Sequence, residues 1–255
     1  MNINGLAAIV TGGASGLGAA TAEMLSKHGA KVTIFDLNVE WGTTKAAEIG
    51  GHFIRVDVTD EASVTNAIAE AEGLHGKARI LVNCAGIGPP AKVIARDGTP
   101  LPLADFTKII NINLIGTFNV LSKFAARIFD AEPLTADGER GVIINTASVA
   151  AYEGQIGQAA YSASKGAVKA MALPIAREFA RYGIRVNTIA RGIFWTPLMA
   201  GLPQEAQDSL GRQIPFPSRM GKPEEYAMLA EAIITNPVLN AECIRLDGAI
   251  RMGPK

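Results

Sequence analysis

Tyr161 and Lys165 stand four residues apart in Tyr161-Ser162-Ala163-Ser164-Lys165, within a run from Ala159 to Ala180 that is mostly small and apolar with scattered charges. That pattern predicts a helix, and residues four apart on a helix share a face, one turn above the other. A free tyrosine, with a pKa of about 10, cannot serve as a base at neutral pH. A neighbouring ammonium favours the phenolate and makes the tyrosine a candidate general acid/base. Pro174, inside the run, is expected to kink the helix or end it early. Taken alone, the pair is better read as an exposed tyrosine beside a solvated lysine, because a chain with four tyrosines easily places one there by chance. The remaining elements give it weight.

A predicted strand from Val142 to Asn145 runs into Thr146-Ala147-Ser148, which brings Ser148 to the same edge 13 residues before Tyr161. At the other end of the chain, the apolar run Leu6–Thr11 is followed by Gly12-Gly13-Ala14-Ser15-Gly16-Leu17-Gly18 and a helical stretch to Gly29. Strand, glycine loop and helix is the context that turns a glycine pattern into a nucleotide site. The glycines permit a tight turn and let backbone N–H groups approach a pyrophosphate at the helix N-terminus. A second strand, Lys31–Phe35, ends in Asp36, about 20 residues beyond the loop, where an acid hydrogen-bonds an adenosine ribose. A carboxylate there also repels a 2′-phosphate, which favours NAD over NADP; otherwise Asp36 is a turn residue before Leu37-Asn38.

The alternation continues. A helix over Glu40–Ile49 leads to strand His52–Val56, with Asp57-Val58 at its end, and a helix over Glu61–Leu74 leads to strand Arg79–Val82 and the turn Asn83-Cys84-Ala85-Gly86. These strand ends lie on the ligand side of an open parallel sheet, so Asp57 and Val58 are placed near an adenine and Asn83 to Gly86 beside its ribose. Gly88–Leu103, with four prolines, is an irregular loop. From Asp105 the pattern is helical to Phe129 and carries Asn113 in an apolar run, where a structural amide and a functional one are equally good readings. Ala131–Arg140 is polar and turn-rich, a surface excursion. Strand Ile184–Ala190 is followed by the Pro/Gly-rich segment 191–219, with a helical stretch near Gln204–Gly211. Loops this long are often lids, and Phe194, Trp195, Leu198, Met199, Leu202 and Phe216 would give one an apolar inner face, or serve as core or subunit contacts. Helix Glu224–Thr235 and strand Glu242–Leu246 complete a single domain.

Composition narrows the function classes. Lys+Arg and Asp+Glu both number 24 in 255 residues, which argues against broad binding to nucleic acid or an anionic membrane. No secretory signal is visible and no apolar run approaches bilayer-spanning length. Cys84 and Cys243 lie in apolar surroundings and read as buried free thiols of a reducing compartment. His28, His52 and His75 have no metal-ligand spacing, so no metal is expected.

Taken together, Thr11 to Gly18, Asn83-Cys84-Ala85-Gly86, Asn113, Ser148 and Tyr161/Lys165 resemble the short-chain dehydrogenase/reductase family across the whole chain. The resemblance implies a Rossmann-type doubly wound α/β domain with seven parallel strands and helices on both faces. It implies NAD held by Gly12, Ser15, Leu17, Gly18, Asp36 and Leu37, by Asp57, Val58 and Asn83 to Gly86, by Tyr161 and Lys165, and by Ile193, Phe194 and Thr196. Tyr161 becomes the acid/base, Ser148 the donor to the substrate oxygen, and Lys165 the group that lowers the tyrosine pKa and bonds the nicotinamide ribose. Asn113 would hold a water in the proton relay. Ser148, Tyr161, Gln158, Trp195, Leu198 and Leu202 would line the substrate. Homotetramers are common in the family, and the helices over Asn113–Phe129 and Ala159–Ala180 suit subunit contacts.

Within the family, Gly141–Lys165, Ile214–Met220 and Ile244–Met252 resemble the branch that oxidises 3-hydroxyacyl-CoA thioesters and hydroxysteroids. That branch is mitochondrial, whereas no transit peptide precedes the first strand here, so a bacterial cytoplasm is expected. The chain departs from the family after the sixth strand: the usual Pro-Gly is Arg191-Gly192, and a small residue is replaced by Trp195. Both flank the place where nicotinamide and substrate should meet, and they read as drift or as a re-shaped pocket. The expected reaction is therefore secondary alcohol to ketone, with a 3-hydroxyacyl-CoA as substrate. A reductase of bulky aryl, cyclic or steroid carbonyls is the alternative, and a non-catalytic NAD scaffold the remote one. For the CoA phosphates, Lys92, Arg96, Arg191 and Arg212 are candidate cations at the pocket mouth, although most of them read better as solvated surface charges.

Overall fold

The computed structural model describes residues 1–196, 199 and 203–254. Short apolar runs ending in glycine or polar residues form the strands, and the amphipathic stretches between them form the crossover helices. In chain order the elements are β1 (Ala7–Thr11), α1 (Gly16–Lys27), β2 (Lys31–Asp36), α2 (Val39–Glu48), β3 (His52–Arg55), α3 (Glu61–His75) and β4 (Ile80–Asn83). There follow α4 (Leu103–Ile110), α5 (Gly116–Ile128), β5 (Gly141–Ser148), α6 (Ala159–Phe179) and β6 (Ile184–Arg191). The last three are α7 (Gln204–Arg212), α8 (Pro223–Thr235) and β7 (Cys243–Leu246).

All seven strands are parallel, in the order β3-β2-β1-β4-β5-β6-β7. The chain runs outward from β1 to β3, then returns to β4 and runs the other way, so the order reverses between β1 and β4. The crevice beyond their C-terminal ends is where such sheets take ligands. Alternation along each strand divides the core. Val10 and Ile144 pack with Leu25, Tyr226 and Ile233 on the α1/α8 face. Ile9 and Ile143 pack with Ile68, Leu121 and Phe124 on the α3/α5 face. Burial on both sides explains why the strands read as continuous apolar runs rather than alternating ones.

Several expectations are corrected. The helix predicted from Asp105 to Phe129 is not uniform: α4 and α5 are joined by a π turn over Asn111–Ile115, centred on Asn113. The combined stretch Leu103–Ile128 is long and apolar enough to cross a bilayer by length and composition, contrary to the sequence reading, but half of its most apolar window is buried within the protein. β5 extends through Ser148 itself, so the serine is a strand residue rather than part of a following loop. Pro174 does not end α6, which continues to Phe179.

The excursion Ala131–Arg140 is anchored rather than wholly superficial, since Ala131 and Glu139 are buried. Glu139 Oε1 accepts from Arg185 Nε at 2.7 Å, and the other guanidinium nitrogens donate to the carbonyls of Ile233, Ile234 and Leu239. Removing one partner of a buried pair leaves an uncompensated charge. Glu139→Ala is therefore expected to lower the unfolding free energy by roughly 3–5 kcal/mol, read as a lower urea midpoint at unchanged slope. The cysteines are free but only partly buried as residues.

Candidate active site

The glycine loop leaves β1 and returns against β4. Gly12 has φ +63°, and a Cβ there would lie 2.7 Å from Ala85 N, so the turn tolerates only glycine. A side chain on Gly18 would collide with the Gly12 carbonyl, which fixes how closely α1 packs under the loop. Ser15 precedes α1 in extended conformation without a side-chain capping bond, and the first turn has no acidic residue. Its N–H groups and positive dipole end are thus left for an anion. At the end of β2, Asp36 Oδ2 accepts from Ala14 N at 3.1 Å and Oδ1 accepts from Asn38 N at 3.0 Å. The carboxylate is both the turn residue and a wall of the crevice, and each oxygen keeps a lone pair for a ribose hydroxyl. Leu37 is exposed beside it. Asp57 Oδ1 accepts from Thr59 N and Oγ1, and Val58 is buried under α5, its carbonyl accepting from Asn119 Nδ2.

Asn83 behaves differently from the residues that follow it. Its side chain is buried, accepting from Thr11 Oγ1 at 3.4 Å and donating to Asn145 Oδ1 at 3.0 Å, so it braces β1, β4 and β5. The Cys84 thiol turns inward toward Tyr226 Oη at 3.8 Å, and burial pushes its pKa up. Ala85 and Gly86 remain to line the crevice. Gly86 allows close passage of two site groups, since a Cβ there would stand 3.0 Å from Asn113 Oδ1 and 3.4 Å from Lys165 Nζ.

The chemical groups converge where β5, β6 and α6 meet. Lys165 is 4% exposed and donates from Nζ to Thr146 O at 2.7 Å. An ammonium has three N–H donors, so the others are left for a ligand or water. Nζ lies 5.9 Å from the centre of the Tyr161 ring. Burial lowers the Lys165 pKa, Tyr161 acts to raise it, and Arg191 to lower it. Burial also works to raise the Tyr161 pKa, but Arg191, Lys165 and a hydrogen bond from Ser148 outweigh it, and the tyrosine is held below its ordinary value. Ser148 Oγ is oriented by accepting from Ala150 N at 3.2 Å.

Asn113 resolves toward the structural reading at its side chain. It is fully buried; Oδ1 accepts from Ile87 N at 2.8 Å, and Nδ2 donates to Ile87 O at 2.8 Å and Ser164 Oγ at 3.0 Å. The amide ties the loop after β4 to α6 next to Tyr161. A relay water on Asn113 would have to use its main-chain oxygen, which accepts from Thr117 Oγ1 at 2.7 Å.

The outer site is less complete. Ile193 and Thr196 are partly exposed along the exit from β6. The Phe194 side chain turns into the core against Gly221, leaving only its backbone for a cofactor. Trp195 is 39% exposed and Phe216 82% exposed, so neither is a core contact, and Leu198 and Leu202 fall outside the described residues. Gln158 Oε1 accepts from Gln155 N, and the residue lines a hollow of about 570 Å³ with Lys92, Ile94, Ile156 and Ser162. Tyr161 does not line that hollow, although its neighbour Ser162 does. Arg191, read as flanking the place where nicotinamide and substrate meet and as a candidate cation, reaches Tyr161 Oη with its Nη2 at 3.4 Å. Thr146 and Ser164 escaped the sequence reading, although a threonine in an apolar strand was a usable signal.

Residues 6–207 match the family described as short chain dehydrogenase. The chain is 52% identical to the human 3-hydroxyacyl-CoA dehydrogenase type-2, over 99% of its own length and 98% of that protein. It is 34% identical to the ipsdienol dehydrogenase of Ips pini, with 95% and 96% covered. Among solved structures, the 3-hydroxyacyl-CoA dehydrogenase type-2 from Mycobacterium avium superimposes with TM-score 0.94 at 45% identity, covering 98% of both chains.

Proposed function

This chain belongs to the short-chain dehydrogenase/reductase family and is an oxidoreductase acting on CH–OH groups; from that premise we propose that it interconverts a 3-hydroxyacyl-CoA and its 3-oxo form with NAD. The observation that carries the reading is Tyr161, its hydroxyl beside Ser148 and cations, on the edge reached by the glycine-loop crevice. The open first turn of α1 and the Asp36 wall fit a dinucleotide, and the spare donors of Lys165 fit its ribose. When bound, NAD supplies the acceptor for the hydrogen leaving carbon. The chain's own residues manage the proton and the charge. Ser148 hydrogen-bonds the alcohol oxygen, Tyr161 Oη takes its proton as phenolate, and Lys165 keeps that phenolate accessible at neutral pH. Residues Gly12, Ser15, Leu17, Gly18, Asp36 and Leu37 would hold the adenosine and pyrophosphate part of the cofactor.

The exposed apolar residues Ile115 and Phe118 on α4/α5 and Leu173 on α6 support assembly as a homotetramer through these helices. The substrate assignment draws on the similarity to the 3-hydroxyacyl-CoA dehydrogenases type-2 described above. The exposed Trp195 favours a bulky secondary alcohol as the second reading. Initial rates with a short 3-hydroxyacyl-CoA and with a bulky secondary alcohol separate the two. Turnover of the alcohol alone would overturn the thioester assignment.

Cofactor choice rests on Asp36. Asp36→Ala is expected to lower kcat/KM for NAD about 10–100-fold, as hydrogen bonds to a charged group are worth about 1.5–3 kcal/mol. The same change should narrow or reverse the preference over NADP. A wild-type preference for NADP would contradict this reading.

A further inference from the structure

Arg191 occupies the position where the resembling family has proline. In the sheet it pairs in register with Ser148, so the last residues of β6 and β5 stand side by side beneath the start of α6. Its guanidinium turns into the site. Nη1 donates to Gly192 O at 3.1 Å and Nη2 to Tyr161 Oη at 3.4 Å. Among the described residues, no carboxylate lies within ion-pair distance of Arg191, whereas Arg185, Arg219 and Arg245 each have one. The charge of Arg191 is thus directed at a single ionisable hydroxyl.

We infer that Arg191 is a second cation on Tyr161, a positioning residue that shares with Lys165 the stabilisation of the phenolate. Geometry separates the two contributions. Lys165 is anchored on the Thr146 carbonyl, and its ammonium stands beside the ring. Arg191 approaches the hydroxyl directly from the end of the neighbouring strand β6, held by its own neighbour's carbonyl. An arginine is always charged, so its effect persists at every pH where the enzyme folds. The Tyr161 pKa agrees in direction: burial opposes ionisation, and Arg191 is the largest influence favouring it. A proline supplies neither charge nor donor, so a family member that carries one lacks this second cation. The inference rests on Tyr161 being the acid/base.

The test is a phenolate absorbance titration of Tyr161 in the folded protein, taken as the difference from Tyr161→Phe, in wild type, Arg191→Gln and Arg191→Pro. An opposite charge at this distance moves a pKa by about 1 unit or more, so the midpoint should rise by about one pH unit in both variants. Alcohol oxidation needs the phenolate, and at a pH below both midpoints its rate should fall about tenfold for each unit. A Tyr161 midpoint unchanged in both variants would overturn the inference, whatever happened to the rates. The titration needs no substrate. Failure of wild-type turnover would therefore count against the proposed reaction, while the midpoint would still decide the role of Arg191.

Discussion

Tyr161→Phe is expected to lose alcohol oxidation by about 10²–10⁴-fold in kcat, the usual contribution of a positioned acid/base, while NAD affinity stays within a few-fold of wild type. The phenyl ring can keep its place, because Gly88 leaves room for it: a Cβ at Gly88 would stand 3.0 Å from the ring. Only the hydroxyl is removed, together with its contacts to Arg191 and Ser148. The pH profile should change in form as well as height. In wild type, burial raises the Tyr161 pKa but Arg191, Lys165 and Ser148 bring it below 10. Oxidation requires the deprotonated group, so its rate rises with pH up to that lowered midpoint and is level above it. Reduction requires the protonated group, so its rate is level up to that midpoint and falls above it. In the phenylalanine variant both limbs should flatten. Steady-state rates across pH, with NAD binding followed by fluorescence, provide the check, and a variant that retained wild-type turnover would remove Tyr161 from the mechanism.

Lys165→Met should cost about as much but distribute the loss differently. Two effects combine: the tyrosine loses a stabilising charge, which raises its pKa by about 1 unit or more, and the cofactor loses a charge-assisted hydrogen bond worth about 1.5–3 kcal/mol. Their product is a fall of about 10²–10³ in kcat/KM. The split is diagnostic, since NAD KM should rise here and remain unchanged in Tyr161→Phe. The oxidation limb should also move to higher pH. Methionine preserves the length of the buried side chain but leaves the Thr146 carbonyl unpaired, at a cost to stability of about 1–3 kcal/mol. A variant with normal NAD KM would show that Lys165 acts on the tyrosine alone.

Much of this arrangement is readable from residue order. The strands and helices were predicted within a few residues because their signals are local: apolar runs such as Ile80–Val82, glycine breaks, and the helical spacing that sets Tyr161 over Lys165. The glycine loop was legible because Gly12 and Gly18 are dictated by sterics close at hand. What stayed hidden depends on side-chain direction. The π turn at Asn113 is stabilised by partners distant in sequence, Ile87 and Ser164. Asn83 and Phe194 were placed at the cofactor, yet their side chains turn into the strands and the core. Glu139 looked like a surface charge until Arg185 met it across 46 residues. Arg191 was noticed as a departure, but its approach to Tyr161 follows from the β5/β6 register, which composition does not reveal.

The reaction proposed for the Tyr161 site is transfer of hydrogen from the carbinol carbon of a 3-hydroxyacyl-CoA to NAD. A short-chain 3-hydroxyacyl-CoA deuterated at that carbon, incubated with the protein and NAD, puts it to the test. The expected product is the 3-oxo thioester, with deuterium on the reduced nicotinamide and none in solvent. Loss of deuterium to water, or recovery of unchanged labelled alcohol alongside unreduced NAD, would contradict it.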